Sequence, residues 1–288
     1  MAARLKKLGY ASLVVILGGT ILATSSHAWL ENNFLFFPTG NQVGTPTDVG
    51  LAFEPVTFLA SDGTELRGWF LPANPQAPVV LFCMGNYGNM SYRLQNLALI
   101  HQLGLNVFIF DYRGYGLSSG KTTEQGTYLD GRAALAWLKA RGWPPERMVF
   151  FGRSLGAAIA LQLALETPPA ALILETPFTS IREMGKTHYS VLYALLGWLL
   201  NAQYDNLAKI ASLNSPLLVI RGSQDRICPP HMAQTLFDRA PQPKQLYTIE
   251  GAGHNNTLSI GGESYWATWA AFLKGSFHTT GVEDRSWR

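Results

Sequence analysis

Short, unbroken apolar runs alternate along the chain with longer stretches of helical spacing. Val79–Met84, Asn106–Phe110, Met148–Gly152, Ala171–Leu174, Leu217–Arg221 and Gln245–Ile249 read as strands. Most are continuous rather than alternating, the pattern of strands covered on both faces, as in parallel sheets layered with helices. Between them, Ser91–Leu103, Glu124–Arg141, Ser154–Glu166, Pro230–Arg239 and Thr257–Leu273 carry apolar residues at helical spacing. Ahead of this series, Val56–Ala60 and Glu65–Leu71 flank Ser61-Asp62-Gly63-Thr64, and Asp-Gly between extended runs is a hairpin signal. The order predicts an α/β fold: a mostly parallel, doubly wound sheet with an antiparallel N-terminal edge. Chemistry in such sheets gathers beyond the C-terminal ends of the strands. About forty residues separate Leu174 from Leu217, among them Tyr189, Leu192, Tyr193, Leu195, Leu196, Trp198, Leu199 and Leu200. They read either as a short helical cap over a site or as a helix packed in the core.

Residues 1–30 stand apart. Arg4, Lys6 and Lys7 form a positive head, and Leu8–Leu30 carries no charge. A membrane anchor needs roughly 20 apolar residues, which this run reaches. A signal peptide would be cut after Ser26-His27-Ala28. The anchor is the leading expectation, because Trp29-Leu30 and Phe34-Leu35-Phe36-Phe37 suit a membrane surface. In both readings the rest of the chain is exported, tethered on the periplasmic side or released after cleavage. Residues 31–50 read as a linker, of which 38–50, rich in Pro, Gly, Thr and Asn, form a tether; 51–276 read as the catalytic domain and 277–288 as a polar tail.

Composition narrows the function classes. Of 288 residues, 47% are hydrophobic and 14% charged, which excludes a disordered chain and a coiled coil. The net charge of +3 has no basic cluster beyond the N-terminus, so nucleic acid is not an expected partner. Cys83 and Cys228 are the sole cysteines, too few for a disulfide framework or a cysteine zinc site. No metal and no cofactor is expected.

Gly152-Arg153-Ser154-Leu155-Gly156 fits G-x-S-x-G between a predicted strand and a predicted helix. A strand turning sharply into a helix exposes one side chain at the bend, and flanking glycines make room for the strained backbone. Gly116-Leu117-Ser118-Ser119-Gly120 matches the same letters but sits in a loop, so Ser154 and not Ser118 is the candidate nucleophile. In the expected chain order, an acid and then a histidine follow: Asp225 after Leu217–Arg221, and His254 after the strand ending at Ile249. Glu175 is the second choice of acid, and His101, His188, His231 and His278 have no such strand-end setting. A tetrahedral intermediate needs two N–H donors. The Leu155 backbone is one; Asn86, in Gly85-Asn86-Tyr87-Gly88-Asn89, is the other, with Tyr87 as alternative. Tyr87, Tyr112 and Tyr115 are expected to line the substrate mouth.

As an ordered set, these pieces resemble the membrane-anchored α/β-hydrolases of the serine aminopeptidase-like and depalmitoylase-like groups. The resemblance is carried by Phe34 to Pro38, Gly85 to Asn89, Asp111-Tyr112-Arg113-Gly114-Tyr115-Gly116 through Gly120, Gly152 to Gly156, Pro177-Phe178-Thr179-Ser180, Gly222 to Asp225, and Gly251 to Asn255. It spans roughly residues 30–275 and implies the α/β-hydrolase fold with a Ser154-His254-Asp225 triad. The chain departs from the family at Met84, where the H-G-N-x-G-N loop begins with histidine. Methionine cannot supply an imidazole's hydrogen bonds, so the loop is expected to be less firmly held. The leading expectation is a serine hydrolase acting on carboxylic esters or thioesters of a small-molecule or lipid-like acyl substrate. Alternatives are an aminopeptidase-like serine peptidase and a non-catalytic anchored binding protein that keeps the fold.

Overall fold

The computed structural model describes residue 31 and residues 34–279. The expected anchor or signal segment, residues 1–30, and the last nine residues of the polar tail lie outside the described residues. Among the described residues no helix is long and apolar enough to cross a membrane.

Eight strands form the main sheet in the order β10-β9-β8-β7-β4-β6-β3-β2. They are β2 (Glu54–Leu59), β3 (Glu65–Leu71), β4 (Val79–Cys83), β6 (Asn106–Asp111), β7 (Met148–Arg153), β8 (Ala171–Glu175), β9 (Leu217–Gly222) and β10 (Lys244–Ile249). From β6 to β10 every neighbouring pair is parallel. The hairpin β2–β3 is antiparallel and joins antiparallel to β6, giving the expected edge. Every residue of β4, β6 and β8 is buried, as the unbroken apolar runs require.

Strand β7 shows how the layers are assembled. The Phe151 ring meets Trp269 of the helix Thr257–Thr279 edge to face at 4.8 Å. The next residue, Gly152, lies against Gly156 and Ala157 of the helix Leu155–Glu166. Neighbouring residues on a strand point to opposite faces, so these two helices cover opposite faces of the sheet.

Residues 38–50 are not the free tether that their composition suggests. Phe36 is fully buried. Phe37–Pro38 (β1) pairs parallel with Tyr87–Gly88 (β5) in a separate two-stranded sheet. Asn89 Nδ2 donates to the carbonyl oxygens of Thr39 (3.0 Å) and Asn41 (2.8 Å), and the Val43 N–H donates to Ser91 Oγ at 2.9 Å. The loop after β4 thus supplies backbone and side-chain partners that hold this largely exposed segment against the body.

Candidate active site

The site lies beyond the C-terminal ends of β4, β7, β9 and β10. Ser154 stands between β7 and the helix Leu155–Glu166 with φ 54° and ψ −117°, a positive φ that costs a side-chain-bearing residue energy. Hydrogen bonds hold this bend: Ser154 N–H donates to the Glu175 carbonyl at 2.9 Å, and Ala157 N–H to the Ser154 carbonyl at 3.0 Å. A Cβ on Gly156 would fall 1.9 Å from the Cys83 carbonyl oxygen, and one on Gly152 would fall 2.3 Å from the Gly156 carbonyl oxygen. Glycine at both places lets the bend nest against β4.

His254 Nε2 lies 3.0 Å from Ser154 Oγ, and His254 Nδ1 lies 2.8 Å from Asp225 Oδ2. A carboxylate only accepts, so Nδ1 carries the proton and Nε2 is left as the acceptor facing the serine hydroxyl. Asp225 is buried, and its other oxygen accepts the N–H groups of Ile227 and Cys228, each at 2.8 Å. The loops carrying the acid and the histidine are joined by Gln224 N–H to the Ala252 carbonyl (2.8 Å) and Gly251 N–H to Ser223 Oγ (2.9 Å). The structure thus brings together the serine, histidine and aspartate expected from the sequence.

Gly85 runs beside the serine: a Cβ built there would lie 3.6 Å from Ser154 Cβ. Asn86 lines the cavity above Ser154. Its side-chain amide is tied to the N-terminal segment, Nδ2 donating to the Leu35 carbonyl at 2.8 Å, so the donor it can offer a ligand at the serine is its backbone N–H. Neither the Leu155 N–H nor the Asn86 N–H is taken by a hydrogen bond among the described residues.

Tyr112 and Tyr115 do not line a mouth. Both are fully buried, and their hydroxyls donate at 2.9 Å to the carbonyls of Met84 and Asn86 respectively. An aromatic ring with one donor can sit in the core when that donor finds a carbonyl, and these two brace the loop from beneath. They also answer the Met84 substitution. With Phe37 N–H donating to the Asn86 carbonyl at 3.0 Å, the loop is anchored without an imidazole, while the Met84 side chain packs in the core. Tyr87 is exposed, its ring 5.8 Å from Tyr92, and it does not line the cavity.

The other candidates have structural work. Ser118 Oγ donates to the Asp111 carbonyl at 2.8 Å and accepts the Arg67 N–H at 2.9 Å. Glu175 is buried among the Thr257 hydroxyl, the Tyr265 hydroxyl (3.0 Å) and Arg153 Nε (3.4 Å), away from the His254 ring.

Above Ser154 opens a cavity of about 350 Å³. The helices Ile181–His188 and Ser190–Leu196 form its lid, so the apolar segment after β8 is a cap rather than core. Met184, Leu192, Tyr193 and Leu196 line it from that side, and Phe34, Leu35 and Phe37 from the N-terminal segment. Arg226, Ile227, Cys228 and His188 complete the wall. His188, read from sequence as bland, hydrogen-bonds the Ile227 carbonyl at 2.7 Å and ties the cap to the loop of Asp225. Phe34, Leu35 and Phe37 are not among the expected site residues; the signals that single them out are their aromatic run and the resemblance carried by Phe34 to Pro38. Among the described residues no group of histidine, cysteine, aspartate and glutamate could hold a metal ion.

Known proteins resemble this chain at two levels. The family Hydrolase_4, described as "Serine aminopeptidase, S33", matches residues 74–208. Rv2307c of Mycobacterium tuberculosis is 38% identical over 255 residues, covering 88% of this chain and 89% of that protein. The alpha/beta hydrolase domain-containing protein WAV2 of Arabidopsis thaliana is 34% identical over 250 residues, covering 80% and 81%. The chain belongs to the α/β-hydrolase family. Another relative of this α/β-hydrolase is the yeast membrane protein YNL320W, 31% identical over 277 residues and covering 90% and 95%. Among solved structures, the esterase Pf2001 of Pyrococcus furiosus superposes with a TM-score of 0.69 at 21% identity, covering 84% of this α/β-hydrolase and 99% of the esterase. At that identity the likeness is one of fold.

Proposed function

We propose that this α/β-hydrolase is a serine hydrolase that cleaves carboxylic ester or thioester bonds of substrates with an apolar acyl part. The observation that carries the reading is the Asp225–His254–Ser154 hydrogen-bonded series opening into an apolar cavity.

In this reading, His254 Nε2 takes the hydroxyl proton as Ser154 Oγ attacks the acyl carbon. The charge on the acyl oxygen is met by the N–H groups of Leu155 and Asn86, and Asp225 stabilises the imidazolium while fixing its tautomer. The bond to the leaving oxygen or sulfur breaks, and His254 returns the proton to that group. Water then attacks the acyl-enzyme and yields its proton to His254. The acid leaves, and Ser154 regains its hydroxyl.

The family description favours a second reading, a serine aminopeptidase. Such an enzyme needs an anionic partner for the substrate's ammonium group. No Asp or Glu is among the described residues lining the cavity, which supports the ester reading. Within the reading, Leu8–Leu30 anchors the enzyme in a membrane; its uncharged length and the yeast relative's designation as a membrane protein support this.

A fluorophosphonate probe tests the chemistry: the wild type labels covalently and Ser154→Ala does not. Folded wild-type protein that stays unlabelled would point instead to a binding protein. Turnover of a p-nitrophenyl acyl ester series, set against aminoacyl p-nitroanilides, separates esterase from peptidase.

A further inference from the structure

The cap carries two apolar faces, and only one has a role in the cavity. Leu192, Tyr193 and Leu196 line the cavity. Val191, Leu195 and Trp198, spaced four and then three residues apart, point the other way and are 75%, 65% and 75% exposed. Val191 and Leu195, four residues apart, share one side of the helix Ser190–Leu196, and Trp198 follows in the 3-10 turn Gly197–Leu199. A cap that merely shielded a pocket would carry polar groups on its outer side, yet no charged residue occurs from Tyr189 through Tyr204.

The path of the chain says what covers this face. The Glu31 carboxylate accepts the N–H groups of Asn201 (3.0 Å) and Ala202 (2.8 Å), just after Trp198, so residue 31, the first described, is held at the end of the cap. Three residues on, Phe34 packs edge to face on Tyr189 at 5.5 Å, and both rings line the cavity. In sequence, the uncharged run Leu8–Leu30 directly precedes this fixed point. Its 23 residues are enough for a helix across a bilayer's hydrocarbon core of about 30 Å.

We infer that the outer face of the cap, formed by Val191, Leu195 and Trp198, seats in the surface of a lipid bilayer. Trp is favoured at the water–lipid boundary, where its indole N–H keeps a polar partner; Trp198 Nε1 donates to the Leu195 carbonyl at 3.0 Å and leaves the ring face for lipid. With the cap seated, the rim formed by Phe34 and Tyr189 adjoins the lipid, and an acyl substrate passes from bilayer to Ser154 without crossing water. The seating rests on the anchored reading of residues 8–30; only the substrate's route rests also on the proposed chemistry of Ser154.

The test uses the full chain in phosphatidylcholine vesicles. Cys83 and Cys228 are buried and their thiols are pushed up by that burial, so an environment-sensitive maleimide dye goes to an introduced cysteine. The dye is placed by Trp198→Cys or Leu195→Cys, and by Ala140→Cys as a control, an exposed position shortly before the N-terminal end of β7. Lipid brominated on the acyl chains should quench the dye at 198 and 195 at least twofold and leave the dye at 140 unchanged. Protein that floats with the vesicles while the dye at 198 stays unquenched overturns the inference but leaves the anchor standing. A dye at 198 already shielded in lipid-free detergent and deaf to brominated lipid also overturns it, and assigns the face to residues 8–30 or to a second copy. Protein that fails to float refutes the anchor, and the inference with it. Fluorophosphonate labelling of the same variants reports separately on Ser154.

Discussion

Arg153 Nη2 donates to the backbone carbonyl of His254 at 2.6 Å, linking the residue before Ser154 to the residue that faces it. The same guanidinium reaches Asn255 Oδ1 at 3.4 Å and pairs with buried Glu175 at 3.4 Å. The distance between Ser154 Oγ and His254 Nε2 is therefore set by a brace as well as by the strands. Replacing Arg153 by Met should lower kcat by roughly 10–100-fold with little change in KM, since a displacement of about 1 Å at reacting atoms is enough for that loss. Steady-state kinetics on a soluble ester check it; a rise in KM alone would assign Arg153 to substrate binding.

Asp225 is held by two backbone N–H groups as well as by His254, so Asp225→Asn should preserve the loop while presenting an amide to Nδ1. The imidazole would then favour the wrong tautomer. Turnover is expected to fall on the order of 10⁴-fold, while the melting temperature moves little. An equal loss from Glu175→Gln, with the fold intact, would reassign the acid.

Two glycines beside the serine should respond oppositely to an added methyl. At Gly156 it would overlap the Cys83 carbonyl, backbone against backbone. Gly156→Ala should therefore cost roughly 1–3 kcal/mol or more, the range for overpacked cores. At Gly85 the nearest atoms are Arg153 O at 3.5 Å and Ser154 Cβ at 3.6 Å, ordinary contacts. Gly85→Ala should fold normally and show its effect in substrate turnover. Urea melts of the two variants decide; similar midpoints would contradict the close nesting of the bend.

Stability should also depend on pH through Asp111. Burial pushes its carboxyl up to about 7, against the lowering pull of the Met90 N–H and of Arg93. An unfolded aspartate titrates near 3.9. Between about pH 4 and 7 the folded chain thus holds a proton that the unfolded chain has released, and stability falls as pH rises through that window. Asp111→Asn keeps an acceptor for the Met90 N–H, which now donates to Asp111 Oδ1 at 2.6 Å, and removes the titration. The variant's unfolding free energy relative to wild type should climb from pH 4 to pH 7 and then level off. A difference that stays constant across the window would refute the shift.

How much of this was legible in the sequence depended on whether a signal was local. Buried parallel strands announce themselves as unbroken apolar runs, and their predicted limits lie within two residues of those found. The Ser154 bend is legible because it needs glycine at fixed offsets, and the control at Ser118 fails for want of a flanking strand. Orientation is another matter. Tyr112 and Tyr115 sit in a glycine-rich loop, and nothing in the letters says whether a tyrosine ring faces solvent or carries its hydroxyl inward to a carbonyl 28 or 29 residues away. The same holds for residues 38–50: a polar, proline-rich composition looks like a tether until the partners of its backbone groups are known. Cap and core are likewise indistinguishable in an apolar helix, because both bury one side.

The ladder between Phe37–Pro38 and Tyr87–Gly88 bears on how the enzyme can be shortened. Cutting after Ala28, where a leader peptidase would act, leaves that ladder whole. Trimming to a start at residue 51, the boundary that composition suggests, strips away Phe36 and the strand that steadies Asn86. A soluble version made for crystallography or screening should begin no later than Glu31, since a shorter one would fold around an unsupported loop beside Ser154, where the proposed reaction would hold the substrate's oxygen.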